Sequence, residues 1–271
     1  MVLASQSLEV DRSFSSGVEG QIMLKLYGPR AVWEKAGSVP VLKVSPGVPA
    51  DNRPVVFYHG WSTDSEKQLS KALLMAAYGY TVFIPELINH GQRGALPDYY
   101  CVQDYDRFWH TVLATTEEYE ELSSFIAADM GCYPAVMGHS MGGFIALGIG
   151  SRYADRLNGI ISMNGSGDWM ESHHFFEQRF HMNLASHWTL RNQVEENTPL
   201  AHTGEMKDIP CLLLSGEADA SVAVQAQQHF YNVLHQTNTR AEYRTYPGLG
   251  HFVTINMMDD ALQWLNRISM R

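Results

Sequence analysis

Short apolar runs alternate with longer helical patterns along most of the chain. The runs are rich in Val, Ile and Leu and end at glycine or a polar residue, which predicts buried strands at residues 55–58, 81–84, 135–137, 159–163 and 211–214. A last strand is predicted at 241–246. Because strands that alternate with helices form a mostly parallel sheet covered on both faces, the predicted fold class is α/β.

Helices are predicted between and after these strands. The C-terminal one has the clearest pattern, an apolar stripe at i, i+3, i+4 spacing formed by Met258, Ala261, Leu262, Leu265 and Ile268. The predicted helices cover residues 66–78, 112–129, 141–153, 221–236 and 254–269. Residues 21–27 alternate apolar and polar side chains and 39–44 are extended, so an antiparallel pair is predicted at the sheet edge.

Two stretches fit no strand–helix unit. Residues 91–111 are rich in aromatic side chains and follow a strand, where the loops of such sheets form ligand crevices. Residues 167–209 are too long for a plain connection within a compact domain. They predict a small, partly helical cap inserted into a single domain that spans residues 1–271.

The sharpest local motif is Gly138-His139-Ser140-Met141-Gly142-Gly143. It stands directly between a predicted strand and a predicted helix, which is the setting of a nucleophile elbow. The chain turns so tightly there that the serine backbone is strained and its neighbours must lack side chains, a need that Gly138 and Gly142 meet. Ser140 is therefore the predicted nucleophile.

A serine hydroxyl needs a base, and the base needs a third group to orient it. His251 follows the last strand, and Asp219 lies in the loop after the strand at 211–214. Serine, acid, histidine is the chain order that this kind of site uses. Glu217 is the alternative acid, and Asp219 has the alternative interpretation of a helix N-cap.

The negative oxygen that develops in acyl transfer requires preorganised N–H donors. The backbone N–H of Met141, directly after the serine, is one predicted donor, and the N–H of Trp61 is the other. His59 and Gly60, just before Trp61, also fit a plain tight turn. The predicted substrate pocket contains His59, Arg93, Phe175 and Trp188, beside the indole of Trp61.

Composition excludes several other classes of function. The formal net charge of −10 and the lack of a Lys/Arg cluster argue against a nucleic-acid partner. The absence of a basic, apolar leader and of an apolar run of about 20 residues predicts a cytoplasmic protein with no membrane partner. Three scattered cysteines and twelve histidines without a zinc motif predict reduced thiols and no bound metal.

Together these motifs resemble the α/β-hydrolase superfamily from about residue 54 to the C-terminus. The resemblance is greatest to small prolyl-oligopeptidase-like and dienelactone-hydrolase-like carboxylesterases. The motifs that carry it are Phe57-Tyr58-His59-Gly60-Trp61, Asn89-His90-Gly91-Gln92-Arg93, the elbow, Gly216-Glu217-Ala218-Asp219 and Gly250-His251. One departure is Glu86, where related chains commonly have Asp.

The resemblance implies hydrolysis through an acyl-enzyme, with no metal or organic cofactor. It predicts a carboxylesterase whose partner is a small-molecule ester, and the aromatic residues favour short-chain or aryl esters. Arg93 is left with two roles, binding an anionic substrate group or holding its loop through an ion pair. Thioesterase and peptidase or amidase action use the same machinery and stay open, as does a non-catalytic ligand-binding role. The oligomeric state is left open.

Overall fold

In the residues that the computed structural model describes (28–47, 53–101, 104–180 and 188–269), eight strands form one sheet. They are β1 (Arg30–Ala36), β2 (Val39–Ser45), β3 (Pro54–Tyr58), β4 (Thr81–Pro85), β5 (Ala135–His139), β6 (Gly159–Met163), β7 (Cys211–Gly216) and β8 (Ala241–Tyr246). The spatial order is β1-β2-β4-β3-β5-β6-β7-β8. Strands β3 to β8 are parallel, and β1 and β2 are antiparallel to their neighbours.

Helices pack on both faces of this sheet. They are α1 (Leu69–Ala77), α2 (Tyr105–Met130), α3 (Met141–Arg152), α4 (Trp169–Phe180), α5 (Arg191–Asn197), α6 (Val224–Leu234) and α7 (Ile255–Ser269). Short 3-10 turns occur at Glu66–Gln68, Gly91–Arg93, Ala154–Arg156 and Pro199–His202. The predicted α/β class and the central strands are confirmed, and each boundary of β2 to β8 lies within two residues of its prediction.

The core has two halves, one on each face of the sheet. Val56 and Tyr58 of β3 pack with α2 and α3, whereas Val55 and Phe57 pack with α1 and α7. Successive strand residues point to opposite faces, so a strand buried on both sides is apolar throughout. The predicted stripe of α7 faces its half of the core, where Met258, Ala261, Leu262 and Leu265 are buried and Ile268 is partly buried.

The antiparallel edge pair exists, but its outer strand is β1 at Arg30–Ala36. The predicted strand at 21–27 lies outside the described residues. Sequence pattern missed β1 because its apolar residues are inverted, with Val32 and Trp33 exposed while Ala31 and Ala36 are buried.

Helix α2 corrects the prediction of a loop over residues 91–111. It begins at Tyr105, seven residues before the predicted start at 112. Its first turns are aromatic, and aromatic side chains are weak helix formers. Packing outweighs that weakness, because Trp109 is fully buried and Phe108 packs against the same core. The loop is therefore shorter than predicted.

The segment between β6 and β7 contains α4, α5 and the turn at Pro199–His202. This is the region predicted to form a partly helical cap, and its described residues are 167–180 and 188–209. Helix α4 contacts α5 and α6. Phe176 of α4 lines a cavity at the carboxyl ends of the strands, so part of this segment borders the site described next.

Candidate active site

Ser140 occupies the turn between β5 and α3. Its backbone has φ 58° and ψ −123°, a conformation that residues with side chains rarely adopt. A side chain on Gly138 would overlap the backbone of Gly142, and one on Gly142 would overlap the Tyr58 carbonyl. The Ser140 N–H donates to the Met163 carbonyl oxygen at 2.9 Å, which ties the turn to β6. This is the strained elbow that the motif predicted.

His251 lies between Ser140 and Asp219. Its Nε2 is 2.8 Å from Ser140 Oγ, and its Nδ1 is 2.7 Å from Asp219 Oδ2. An ionised carboxylate only accepts hydrogen bonds, so Nδ1 carries the proton and Nε2 accepts from the serine hydroxyl. We call these residues the Ser140–His251–Asp219 series. The Asp219 side chain is buried, and that of His251 is partly exposed.

Asp219 also organises its own loop. Its Oδ1 accepts hydrogen bonds from the N–H groups of Ser221 at 2.8 Å and Val222 at 3.0 Å. These residues precede α6, whose N-cap is Ala223, so Asp219 orders the approach to the helix without capping it. Glu217, the alternative acid, is exposed and accepts a hydrogen bond from Thr245 Oγ1 at 2.7 Å. Asp219 is thus the acid that the fold brings to His251.

Asn164, at the end of β6, joins the two loops that carry Asp219 and His251. Its Oδ1 accepts from the Gly216 N–H at 2.9 Å, and its Nδ2 donates to the Phe252 carbonyl at 3.1 Å. Asn164 has φ 48°, a left-handed conformation that Asn tolerates better than most residues. Sequence reasoning missed it, although its position directly after a central parallel strand was an available signal.

The two predicted oxyanion donors lie on either side of Ser140. Met141 is the first residue of α3, and the first N–H groups of a helix have no intrahelical acceptor. The loop with Gly60 and Trp61 lies against the elbow, because a Cβ on Gly60 would be 3.3 Å from Ser140 Cβ. Within the described part of the chain, the Trp61 N–H has no backbone acceptor.

Two buried side chains, His59 and Glu86, lie beneath the loop that carries Trp61. His59 Nδ1–H donates to the Gly60 carbonyl at 2.9 Å. His59 Nε2 lies 3.4 Å from Glu86 Oε1, close enough for an ion pair but without hydrogen-bond geometry. Glu86 also accepts from the Ser65 N–H at 3.3 Å. Glu86, at the position where related chains commonly have Asp, therefore lies beneath the Trp61 loop.

Trp61 is held in an aromatic cluster. Its ring centroid lies 4.9 Å from that of His90, 5.0 Å from that of Tyr99 and 5.6 Å from that of Phe108. Its indole N–H donates to the Tyr99 carbonyl at 2.6 Å. Burial lowers the pKa of His90 to about 4, with a further contribution from His59, so this histidine is neutral near pH 7. These contacts and the indole hydrogen bond fix the position of the Trp61 ring.

His139 lies beside the series, with its ring centroid 4.9 Å from that of His251. Burial, and next the proximity of His251, lowers the pKa of His139 to about 3. A neutral His139 adds no positive charge next to the imidazole of His251.

A cavity of about 710 Å³ opens over Ser140 and His251. This volume suits a small organic ligand. Eight of its lining side chains are aromatic, namely Trp61, Tyr99, Tyr100, Tyr105, Phe108, Phe144, Phe176 and Phe252.

The four residues predicted for the pocket do not line this cavity. His59 is buried beneath the Trp61 loop, and Arg93 forms a bidentate ion pair with Glu118 at 2.9 and 2.6 Å. Trp188 is buried against His173, with ring centroids 3.6 Å apart. The Phe175 ring centroid lies 6.4 Å from that of Phe176, which does line the cavity. Of the two roles left open for Arg93, the structure supports the ion pair.

A larger depression, of about 1090 Å³, lies at the opposite edge of the sheet near Pro54 and Ala135, where β3 and β5 begin. Its lining contains none of the Ser140–His251–Asp219 series. Ligands of open α/β sheets bind beyond the carboxyl ends of the strands, which favours the smaller cavity as the site.

Two features of the described ranges bear on metal and membrane binding. No three His, Cys, Asp or Glu side chains there are grouped so that they would hold a metal ion. Among the helices of those ranges, none combines the length and apolar character needed to cross a membrane.

The parallel sheet, the serine elbow and the order serine, acid, histidine along the chain define an α/β-hydrolase. Residues 109–269, more than half of the chain, match the prolyl oligopeptidase family, so the chain belongs to that family and is a hydrolase.

Relatives of similar length support this assignment. The chain is 28% identical to Esterase YjfP of Escherichia coli (strain K12) over 226 residues, which cover 79% of this chain and 88% of that protein. It is 26% identical to Putative esterase YitV of Bacillus subtilis (strain 168) over 194 residues, covering 66% and 73%. The crystal structure of TT1662 from Thermus thermophilus shares the fold, with a TM-score of 0.71, 20% identity and coverage of 88% and 98%.

Proposed function

We propose that this protein is a serine carboxylesterase that uses Ser140 as nucleophile, His251 as general base and acid, and Asp219 as the group that orients the histidine. The observation that carries the proposal is the continuous hydrogen-bonded series, 2.8 Å from Ser140 to His251 and 2.7 Å from His251 to Asp219, whose first two members line a cavity with many aromatic side chains. Two relatives of similar length are named as esterases, which favours ester over amide substrates.

The proposed reaction has two halves. Ser140 Oγ attacks the ester carbonyl carbon while His251 Nε2 takes the hydroxyl proton, and the N–H groups of Trp61 and Met141 stabilise the resulting oxyanion. The bond to the alcohol then breaks, and the alcohol takes the proton from His251. Water attacks the acyl-enzyme with His251 again as base, the acid leaves, and Ser140 regains its proton.

The cavity supports a substrate class of short-chain or aryl esters. Eight aromatic side chains contribute to its lining, and its volume of about 710 Å³ suits a small acyl group together with an aryl alcohol. No cofactor takes part in the proposed reaction.

The test is hydrolysis of p-nitrophenyl esters with acyl chains of about two to about twelve carbons, comparing wild type with Ser140→Ala. The wild type is expected to prefer short chains, and the variant to lose about 10³-fold or more of kcat/KM. Ser124→Ala is the matched control, because Ser124 is exposed on α2 and donates only to the Glu120 carbonyl. Matched thioester and anilide substrates measure the preference among the three bond types.

Labelling by a fluorophosphonate provides a readout that does not depend on the choice of ester. Covalent labelling of wild type and Ser124→Ala but not of Ser140→Ala is the expected result. A protein that neither turns over any ester nor takes up the label would be a ligand-binding member of the fold instead.

A further inference from the structure

One wall of the active-site cavity contains a lysine without a carboxylate partner among the described residues. Thr63, Gln68 and Lys71 all line the cavity that opens over Ser140. The Lys71 ammonium donates one hydrogen bond, to Gln68 Oε1 at 2.9 Å. An ammonium has three donors, so two of them are left for a ligand or for water.

The glutamine that holds this lysine is itself fixed. Gln68 is buried, and its Nε2 donates to Thr63 Oγ1 at 3.0 Å and to the Asp64 carbonyl at 3.3 Å. Since the amide NH₂ is used in this way, its oxygen must face Lys71. The position of the ammonium is therefore set by a chain of hydrogen bonds that begins in the backbone.

The nearby carboxylates are engaged elsewhere. Asp64 pairs with Lys67 at 2.7 Å, and Asp104, which also lines the cavity, pairs with Arg107 at 3.1 Å. Glu86 lies beneath the loop, against His59. None of these anions neutralises Lys71, so its charge faces the cavity uncompensated.

Burial lowers the pKa of Lys71, and none of the anionic groups in the described ranges raises it. Removing an ammonium from water is unfavourable unless an opposite charge is supplied. The charge of Lys71 also reaches the neighbour of the nucleophile, since it contributes to the lowered pKa of His139. A partly desolvated cation in the same cavity as Ser140 is suited to an anionic part of the ligand.

We infer that Lys71, held by Gln68, is a subsite for a carboxylate carried by the ester substrate. The inference rests on the proposed esterase function and narrows its substrate class to esters with a free carboxylate, either on the acyl chain or on the alcohol. Because the Asp104 carboxylate also lines the cavity and would repel an anion, the subsite lies on the Gln68 side of the opening.

Two matched substrate pairs distinguish the two positions of the carboxylate. The acyl pair is the mono-4-nitrophenyl ester of glutaric acid and its neutral methyl ester. The alcohol pair is the acetate ester of 4-hydroxybenzoic acid and that of its methyl ester. The readout is the ratio of kcat/KM for the anionic over the neutral member, because a ratio is independent of the fraction of active enzyme.

We expect the wild type to favour the anionic member of one pair, and Lys71→Met to lower that ratio by about 10-fold to about 100-fold, the range for hydrogen bonds to charged groups. Lys71→Arg retains part of the preference. Lys67→Met is the matched control, because Lys67 is one turn away, exposed and already paired with Asp64, and it should keep the wild-type ratio.

A wild-type ratio at or below one in both pairs, or a ratio that Lys71→Met leaves unchanged, would overturn the subsite. Binding of glutarate to Ser140→Ala, measured by calorimetry against Ser140→Ala/Lys71→Met, gives a readout without turnover, and equal affinities would also overturn it. Failure of the proposed function looks different, since neutral esters are then not hydrolysed and Ser140 is not labelled.

Discussion

Asp219 uses its two carboxylate oxygens for two purposes. Oδ2 accepts from His251, while Oδ1 accepts from the N–H groups of Ser221 and Val222. An amide at this position offers one oxygen and one NH₂ group, so Asn would direct a donor at a donor on one side or the other. The orientation of the imidazole depends on Oδ2, and the order of the loop depends on Oδ1, so the site needs both oxygens.

Asp219→Asn is accordingly expected to lower kcat by about 10³-fold or more, because His251 loses the partner that fixes its tautomer. KM should change little. Glu217→Gln is the matched control two residues away and is expected to stay within about 3-fold of wild type, since its carboxylate is exposed and bonded to Thr245. Both variants are assayed on p-nitrophenyl butyrate after thermal unfolding has shown that they fold. Equal losses in the two would contradict the choice of Asp219.

The members of the Ser140–His251–Asp219 series were recognisable in the sequence because a tight turn and a chain order leave a local signature. Lys71 and Asn164 leave none. In the sequence, Lys71 is indistinguishable from an exposed lysine on a helix. Only the folded structure shows that it contacts Gln68 and lines the cavity. Asn164 acquires its role only because the loops after β7 and β8 both come to the end of β6.

At the scale of elements, Arg93 and Glu118 connect the loop after β4 to helix α2. The guanidinium also donates to the Glu86 carbonyl at 3.1 Å, so one side chain ties the helix to the segment beneath the Trp61 loop. Both side chains are largely buried, which gives this pair more weight than a pair in open solvent. The motif that carries Arg93 thus joins the loop after β4 to the middle of α2.

A double-mutant cycle measures that connection. Arg93→Met and Glu118→Gln are each expected to lower the free energy of unfolding by about 1 to about 3 kcal/mol, and the double variant by less than the sum, because both remove the same interaction. Urea unfolding followed by circular dichroism is the measurement. Additive losses would show that the two side chains act independently. Arg93→Met should also keep the preference between the anionic and neutral esters, unlike Lys71→Met.

Element boundaries were predictable where burial is uniform and unpredictable where it is mixed. Strands β3 to β7 are buried along almost their whole length, and their apolar runs mark them clearly. Strand β1 forms the outer edge of the sheet. Its small alanines are buried and its large Val32 and Trp33 are exposed, which is the reverse of the usual relation between size and burial. The start of α2 depends on the packing of Trp109 in the core, which no local pattern contains.

At the scale of the whole molecule, the fold assembles the site from distant parts of the chain. Ser140 and His251 are 111 positions apart, and His251 and Asp219 are 32 apart. They meet because β5, β7 and β8 are parallel and end at the same edge of the sheet. The α/β class could be predicted from the alternation of strands and helices in the sequence. The order of the strands in the sheet could not, because three-dimensional packing decides which strands pair.

The whole molecule also carries buried neutral histidines. Burial is the main cause that lowers the pKa of His90 and His173 to about 4 and that of His139 to about 3, against an ordinary value of 6.5. The unfolded chain takes up these protons near pH 6.5, whereas the folded chain does so only near pH 4 or below. The stability that they contribute is therefore complete above about pH 6.5 and is lost as the pH falls toward about 4.

His173 and His174 offer a matched test of this pH dependence. His173 is buried against Trp188 and lies 2.6 Å from the Tyr105 hydroxyl, whereas its neighbour His174 is exposed. Each buried histidine changes the free energy of unfolding by up to about 1.4 kcal/mol per pH unit between its unfolded and folded pKa values. Since about 1.5 units of that window lie above pH 5, His173→Gln is expected to reduce the loss of unfolding free energy between pH 7.5 and pH 5 by about 1 to about 2 kcal/mol. His174→Gln should keep the wild-type loss. The comparison uses the change with pH and not the stability at one pH, because His173→Gln also removes ring packing. An unchanged pH dependence in His173→Gln would mean that the buried ring is not the group that titrates.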